Sequence, residues 1–150
     1  MPERGQIIVG VGVVTVKKTP NDGLEVLLIR RGRPPFEGKW SIPGGKLKYG
    51  ERLEAAALRE LHEETAVEAR IIKQIGTFEA LPSIESRVDA EHFVMVDFLA
   101  EWVRGEPCAG DDAVDARFFS IEEAVAKVNW DKTREAVKTA VHVFKADRNQ

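Results

Sequence analysis

The sequence predicts an α+β fold, a mixed sheet lying between helices packed on both of its faces. Three observations carry that prediction. Val- and Ile-rich runs of strand length outnumber the helical segments. Two of those runs flank Asn21-Asp22-Gly23, a hairpin-type turn that makes its neighbours antiparallel. The two longest helical segments, residues 52–64 and the stretch after Asp131, each carry an apolar stripe that a sheet can cover. At 150 residues the chain is expected to form one domain spanning residues 1–150.

The elements follow in order. Residues 7–17 are a strand, and residues 24–29 return from the hairpin turn. Residues 30–39, RRGRPPFEGK, read as a basic loop rich in Pro and Gly. Residues 40–43 are a short extended piece running into a Gly44-Gly45 turn. Residues 52–64, RLEAAALRELHEE, hold strong helix formers and neither Gly nor Pro. Residues 67–78 and 92–103 are two further strands, separated by a loop containing Pro82. Residues 105–113 form a loop with Pro107, Gly110 and the adjacent Asp111 and Asp112, and residues 116–119 a brief strand. Ser120-Ile121-Glu122-Glu123 is a capping box that opens a short helix to about Val128. Asp131 is expected to cap a last helix with Val137, Ala140, Val141 and Phe144 on one face.

Composition narrows the function. With 22 basic and 25 acidic residues the net charge is −3, so no general binding to nucleic acid is expected. The longest mostly apolar run, residues 7–16, falls short of the roughly 20 residues that cross a membrane. The first residues lack the pattern of a secretory signal, and Cys108 is a lone cysteine. Both point to a reducing, cytoplasmic setting without an internal disulfide.

The charge is unevenly placed. Residues 51–64 hold five acids and two bases, a balance of −3, while residues 30–39 hold four bases and one acid, a balance of +3. On a helical wheel with Leu53 at zero, Ala57 lies at about 40° and Leu61 at about 80°. Glu64 falls at about 20°, inside this apolar stripe, Glu60 at about 340° on its margin, and Glu63 at about 280°. These three carboxylates are i, i+3 and i+4 neighbours, so they repel unless something positive stands between them. Arg59 reaches Glu63 one turn on, but one guanidinium cannot neutralise three acids. A hard divalent cation can, and carboxylate oxygens suit Mg²⁺ or Mn²⁺, which leave positions open for substrate phosphates.

Residues 45–67, GKLKYGERLEAAALRELHEETAV, resemble the Nudix box, G-x5-E-x7-R-E-U-x-E-E-x-G-U with U a bulky aliphatic residue. Gly45, Glu51, Arg59, Glu60, Glu63 and Glu64 fill its fixed positions, and Leu61 and Val67 its aliphatic ones. Ala66 departs from it, standing where the box has Gly. The resemblance implies the Nudix α/β/α sandwich and hydrolysis of a diphosphate joined to another group, usually a nucleoside diphosphate. It makes Glu60, Glu63 and Glu64, with the Gly45 carbonyl, the metal ligands for Mg²⁺ or Mn²⁺. It makes Glu51 and Arg59 the residues that orient them. Small ADP-ribose pyrophosphatase-like members are the most similar group, so ADP-ribose leads as substrate. Hydrolysis of nucleoside triphosphates, oxidised ones included, is the alternative, and a nucleotide-sensing module without catalysis is a third reading. Family habit adds a homodimer.

The family often takes its general base from a carboxylate outside the box. Asp111 stands first and Asp112 second, against their alternative use as turn formers. Glu79, Glu85, Glu60 and Glu63 remain open for that role. Arg30, Arg31 and Arg33 are candidates for the substrate phosphates, against an ordinary solvated loop. Trp40, Phe36 and Phe78 are candidates for stacking on a base or ribose, against a place in the core. His62 lies away from the carboxylates, and no Cys/His spacing suggests zinc.

Overall fold

The computed structural model describes residues 5–34, 36–81 and 92–148. Its strands are β1 (Ile7–Lys18), β2 (Leu24–Arg31), β3 (Trp40–Ser41), β4 (Gly44–Lys46), β5 (Glu68–Ala80), β6 (His92–Arg104) and β7 (Ala113–Ser120). Its helices are α1 (Leu53–Thr65), α2 (Ile121–Lys127) and α3 (Asp131–Arg148). All seven strands join one mixed sheet, in which β1 and β6 pair in parallel and the other pairings are antiparallel.

Period-2 alternation along β1 builds two cores. Val11 and Val13 face α1, where they pack with Ala56, Ala57 and Leu61. Val14 and Val16 face the other way, into a cluster with Val137, Ala140, Val141 and Phe144 of α3. A mixed sheet between helices is therefore the observed architecture. Among the described residues no helix is long and apolar enough to cross a membrane.

The sheet forks. β1 and β2 pair only at Val16–Lys18 against Leu24–Val26 and then part. The segment entering the fork gives Trp40 and Ser41 to β2 and Gly44, Gly45 and Lys46 to β1. Gly44-Gly45, expected as a turn, is thus strand, and Gly44 approaches β1 too closely for a Cβ. A Cβ on Gly44 would strike the Val11 carbonyl.

Other boundaries shift for equally local reasons. Arg30 and Arg31 belong to β2 and not to a loop, since β7 pairs with both and β3 with Arg30. The expected short strand at residues 116–119 runs from Ala113 to Ser120 for the same pairing. Asp131 is the first residue of α3, where its carboxylate accepts a 2.6 Å bond from Arg134. The Ser120 hydroxyl does cap α2, accepting the Glu123 N–H at 3.2 Å.

Candidate active site

The α1 wheel sets three carboxylates at three depths. Glu64 is 4% exposed and Glu60 9%, while Glu63 is solvent-exposed. Glu64 Oε1 accepts the Gly44 N–H at 2.9 Å, which ties the buried end of the helix to β4. Burial pushes the Glu64 carboxyl up to about 8; Glu60 and Asp111 add to the rise, and the Gly44 N–H and Arg31 oppose it. Burial also raises the Glu60 carboxyl, against the pull of Arg59. The Glu60 carboxylate lies directly over Gly45, where a Cβ would come within 2.6 Å of both its oxygens. Gly45 is thus required by close approach and not by turn geometry.

Arg59 organises this face. Its Nε donates to Glu51 Oε2 at 2.6 Å and its Nη2 to Glu51 Oε1 at 3.0 Å, a two-pronged fork. Nη1 reaches Glu60 at 2.8 Å and Glu63 at 3.3 Å, and Nη2 also donates to the Lys46 carbonyl at 3.1 Å. The hydrogen bonds from Arg59 hold the Glu51 carboxyl down to about 2, helped by the Lys48 N–H. Glu51 and Arg59 therefore fasten the segment after β4 to α1 and fix the Glu60 and Glu63 side chains from one side.

The other side is supplied by residues 105–112. The Cys108 N–H donates to the Thr65 carbonyl at 2.8 Å and the Gly110 N–H to the Glu64 carbonyl at 3.1 Å. The loop thereby satisfies carbonyls that the end of α1 leaves unpaired. Gly110 passes so close that a Cβ would lie 2.6 Å from the Glu63 carbonyl. This docking brings Asp111 to the helix: oxygens of Glu60, Glu63 and Asp111 all lie within 4.8 Å of one another. The donor set fits a hard divalent cation, being three converging carboxylates with one shared guanidinium. Glu64 stands behind this cluster, on the Gly44 N–H.

The remaining candidates separate. Asp112 forms a 2.8 Å ion pair with Arg33, and its carbonyl accepts the Gly32 N–H at 2.8 Å. Both groups of that pair thus serve to join the end of β2 to the loop. Arg31 lies on the carboxylate side, where its charge lowers the Glu64 carboxyl, whereas Arg30 acts on Asp115. Trp40 packs edge-to-face on Phe119 at 5.0 Å and joins the α3-side core, so it is a core residue in this structure. Phe36 and Phe78 both contact Trp130, at 6.1 and 5.3 Å. Glu79 is apart from the cluster, 3.3 Å from His92, and Glu85 lies outside the described residues. His62 is exposed, as the wheel has it.

Ala66, the departure from the box, ends α1 in the left-handed region at φ 62° and ψ 8°, with its N–H on the His62 carbonyl at 2.9 Å. The backbone of a glycine position is kept with an alanine in it. One buried group escaped the sequence reading. Asp97 is 5% exposed in β6, and its signal was a single acid inside the apolar run VMVDFLA.

Comparison with known proteins agrees with this fold. The family model for the NUDIX domain matches residues 7–140. An ADP-ribose pyrophosphatase of Methanocaldococcus jannaschii is 35% identical over 97 residues, 65% of this chain and 55% of that protein. An ADP-ribose pyrophosphatase of Bacillus subtilis is 29% identical over 136 residues, covering 90% of this chain and 71% of its own. The chain thus spans little more than half of the first relative's length. Among solved structures, a MutT/nudix family protein from Enterococcus faecalis aligns with a TM-score of 0.67 at 33% identity, over 80% of this chain and 46% of that one. The NUDIX domain of Shewanella oneidensis NrtR, complexed with ADP ribose, aligns at 0.77 and 24% identity, over 93% of this chain and 89% of that one.

Proposed function

The chain belongs to the Nudix hydrolase family, and from that premise we propose that it hydrolyses a nucleoside diphosphate joined to a second moiety, ADP-ribose first, with Mg²⁺. The observation that carries this reading is the convergence of Glu60, Glu63 and Asp111 beside Gly45. The relatives named ADP-ribose pyrophosphatase support the choice of substrate.

Glu60, Glu63 and Asp111, with Glu64 behind them and the Gly45 carbonyl alongside, are the groups assigned to hold the ion. A bound divalent cation supplies neutralisation of the diphosphate charge and a lower pKa for a coordinated water. Arg59 keeps Glu60 and Glu63 in one arrangement before substrate arrives, so little reorganisation accompanies the reaction. Arg31, on the carboxylate side of β2, is assigned to the phosphate oxygens. Asp111, carried by the docked loop and not by the helix, is assigned to take a proton from the attacking water. The water oxygen bonds to phosphorus and the bridging P–O bond breaks. The leaving phosphate oxygen departs with the bond electrons and is protonated from solvent.

The test is incubation of the protein with Mg²⁺ and, separately, ADP-ribose, NADH, a dinucleoside polyphosphate and nucleoside triphosphates. The expected outcome is AMP plus ribose 5-phosphate from ADP-ribose as the fastest reaction. Nucleoside monophosphate plus pyrophosphate as the fastest products would transfer the assignment to triphosphates. Nucleotide binding with no turnover of any substrate would replace catalysis with sensing.

A further inference from the structure

Residues 110–113 form a turn closed by the Ala113 N–H on the Gly110 carbonyl at 3.0 Å. A positive φ at the second residue of such a turn is ordinarily a glycine's place. Here that residue is Asp111, at φ 52°, while the glycine stands one position earlier with its own φ outside the left-handed region. An L residue held at positive φ is strained, and three carboxylates drawn together repel. Neither helps the chain to fold. A turn with the glycine at position 111 and a side chain at 110 would form more easily.

Contact explains where the glycine stands. A Cβ at Gly110 would lie 2.6 Å from the Glu63 carbonyl oxygen, well inside van der Waals contact. That oxygen belongs to the backbone of α1, which Ala56, Ala57 and Leu61 pack against the sheet, so the helix cannot yield. The loop must move instead, and Glu106, Cys108, Ala109 and Asp111 in it are exposed. A second glycine acts from the opposite side. The Gly32 N–H donates to the Asp112 carbonyl at 2.8 Å, and a Cβ at Gly32 would lie 2.8 Å from that same oxygen. The end of α1 and the end of β2 thus close on the turn together. What they fix between them is Asp111, whose carboxylate meets those of Glu60 and Glu63 within 4.8 Å.

We propose that Gly110 and Gly32 are positioning residues of the cation site. By placing no side chain between the turn and α1 or β2, they hold Asp111 within joint reach of Glu60 and Glu63. The strain at Asp111 is kept for the ligand it presents. The proposal rests on the cation-site reading above and adds to it how the carboxylate outside the helix is placed.

Mn²⁺ alone, titrated into the full chain and followed by electron paramagnetic resonance, tests this without turnover. Amide hydrogen exchange of the metal-free protein reads the docking itself. Gly110→Ala is expected to bind Mn²⁺ at least about tenfold more weakly than wild type. It is also expected to speed exchange at the Cys108 amide at least about tenfold and to leave the Leu61 amide unchanged. Added to Asp111→Asn, Gly110→Ala is expected to change Mn²⁺ affinity by less than about twofold, because the carboxylate it misplaces is already gone. Gly32→Ala, pressing on the turn from β2, is expected to weaken Mn²⁺ binding as Gly110→Ala does, and decides the matter if Gly110→Ala does not fold. Unchanged Mn²⁺ affinity in either folded glycine variant overturns the proposal. So does unchanged exchange at Cys108 in folded Gly110→Ala, or a full further loss when it joins Asp111→Asn. Wild-type protein that binds no Mn²⁺ removes the cation site and this inference with it. A protein that shows the expected losses but cleaves no diphosphate keeps this inference and loses the proposed function. One that cleaves diphosphates while both glycine variants bind Mn²⁺ as tightly as wild type does the reverse.

Discussion

An ionised carboxylate at 4% exposure, as at Glu64, is costly unless a positive group stands beside it. In the metal-free protein its carboxyl rises to about 8, above the ordinary 4.5. Its contribution to stability is therefore full below pH 4.5 and is lost as pH rises through 8. Glu64→Gln keeps an oxygen for the Gly44 N–H and removes the charge. At pH 8 without metal the variant should be more stable than wild type by about 1–3 kcal/mol in denaturant titration. Its Mg²⁺-dependent kcat should fall at least about 100-fold, since the carboxylate behind the cation cluster is gone. Glu64 was legible in the sequence, because a wheel places it within the apolar stripe. Asp97 was not: a lone acid in a strand declares neither its neighbours nor its burial.

At the scale of the element, α1 is held at its C-terminal end by backbone contacts that no motif spells out. Its C-terminal carbonyls are closed by residues 105–112, and that contact carries Asp111 to Glu60 and Glu63. Local spacing revealed three carboxylates on one helix and Asp111 as a candidate base, but only the tertiary docking brings Asp111 to Glu60 and Glu63. The same limit explains Gly44-Gly45. A Gly-Gly pair reads as a turn, whereas here glycine admits a strand against β1 and a carboxylate over its Cα. Trp40 was open in the sequence between a stacking ring and a place in the core, and its contact with Phe119 gives it the second. The end of α1 offers a direct test. Ala66 sits at φ 62°, where an L side chain costs roughly 1 kcal/mol. Ala66→Gly should therefore raise the unfolding free energy by about 0.5–1 kcal/mol and leave kcat for ADP-ribose unchanged, because Ala66 touches none of the clustered carboxylates.

Across the whole molecule, a small net charge of −3 conceals a division between an acidic helix and a basic strand end. Fold class and the two-sided sheet were readable from alternation and helix stripes; the fork that brings β4 beside α1 was not, since it depends on where β1 and β2 part. The two faces of the sheet also titrate differently. Asp97 has its carboxyl raised from 3.8 to about 6 on the α3 side, so it stabilises the fold most below pH 3.8 and least above pH 6. Replacing it with Asn should remove this dependence and raise stability at pH 8 by on the order of 2–3 kcal/mol, read from urea unfolding at pH 5 and pH 8.

Under the proposed function, Glu60, Glu63 and Asp111 act as one cation site assembled from helix and loop. Its most direct test is a Mn²⁺ titration followed by electron paramagnetic resonance, on wild-type protein, Glu60→Gln and Asp111→Asn, with thermal unfolding recorded alongside. Wild-type protein should remove the free Mn²⁺ signal. Each variant should bind at least about tenfold more weakly, a loss of about 1.4 kcal/mol, with its unfolding temperature unchanged or raised. A folded Asp111→Asn protein that binds Mn²⁺ as tightly as wild type would contradict the shared site.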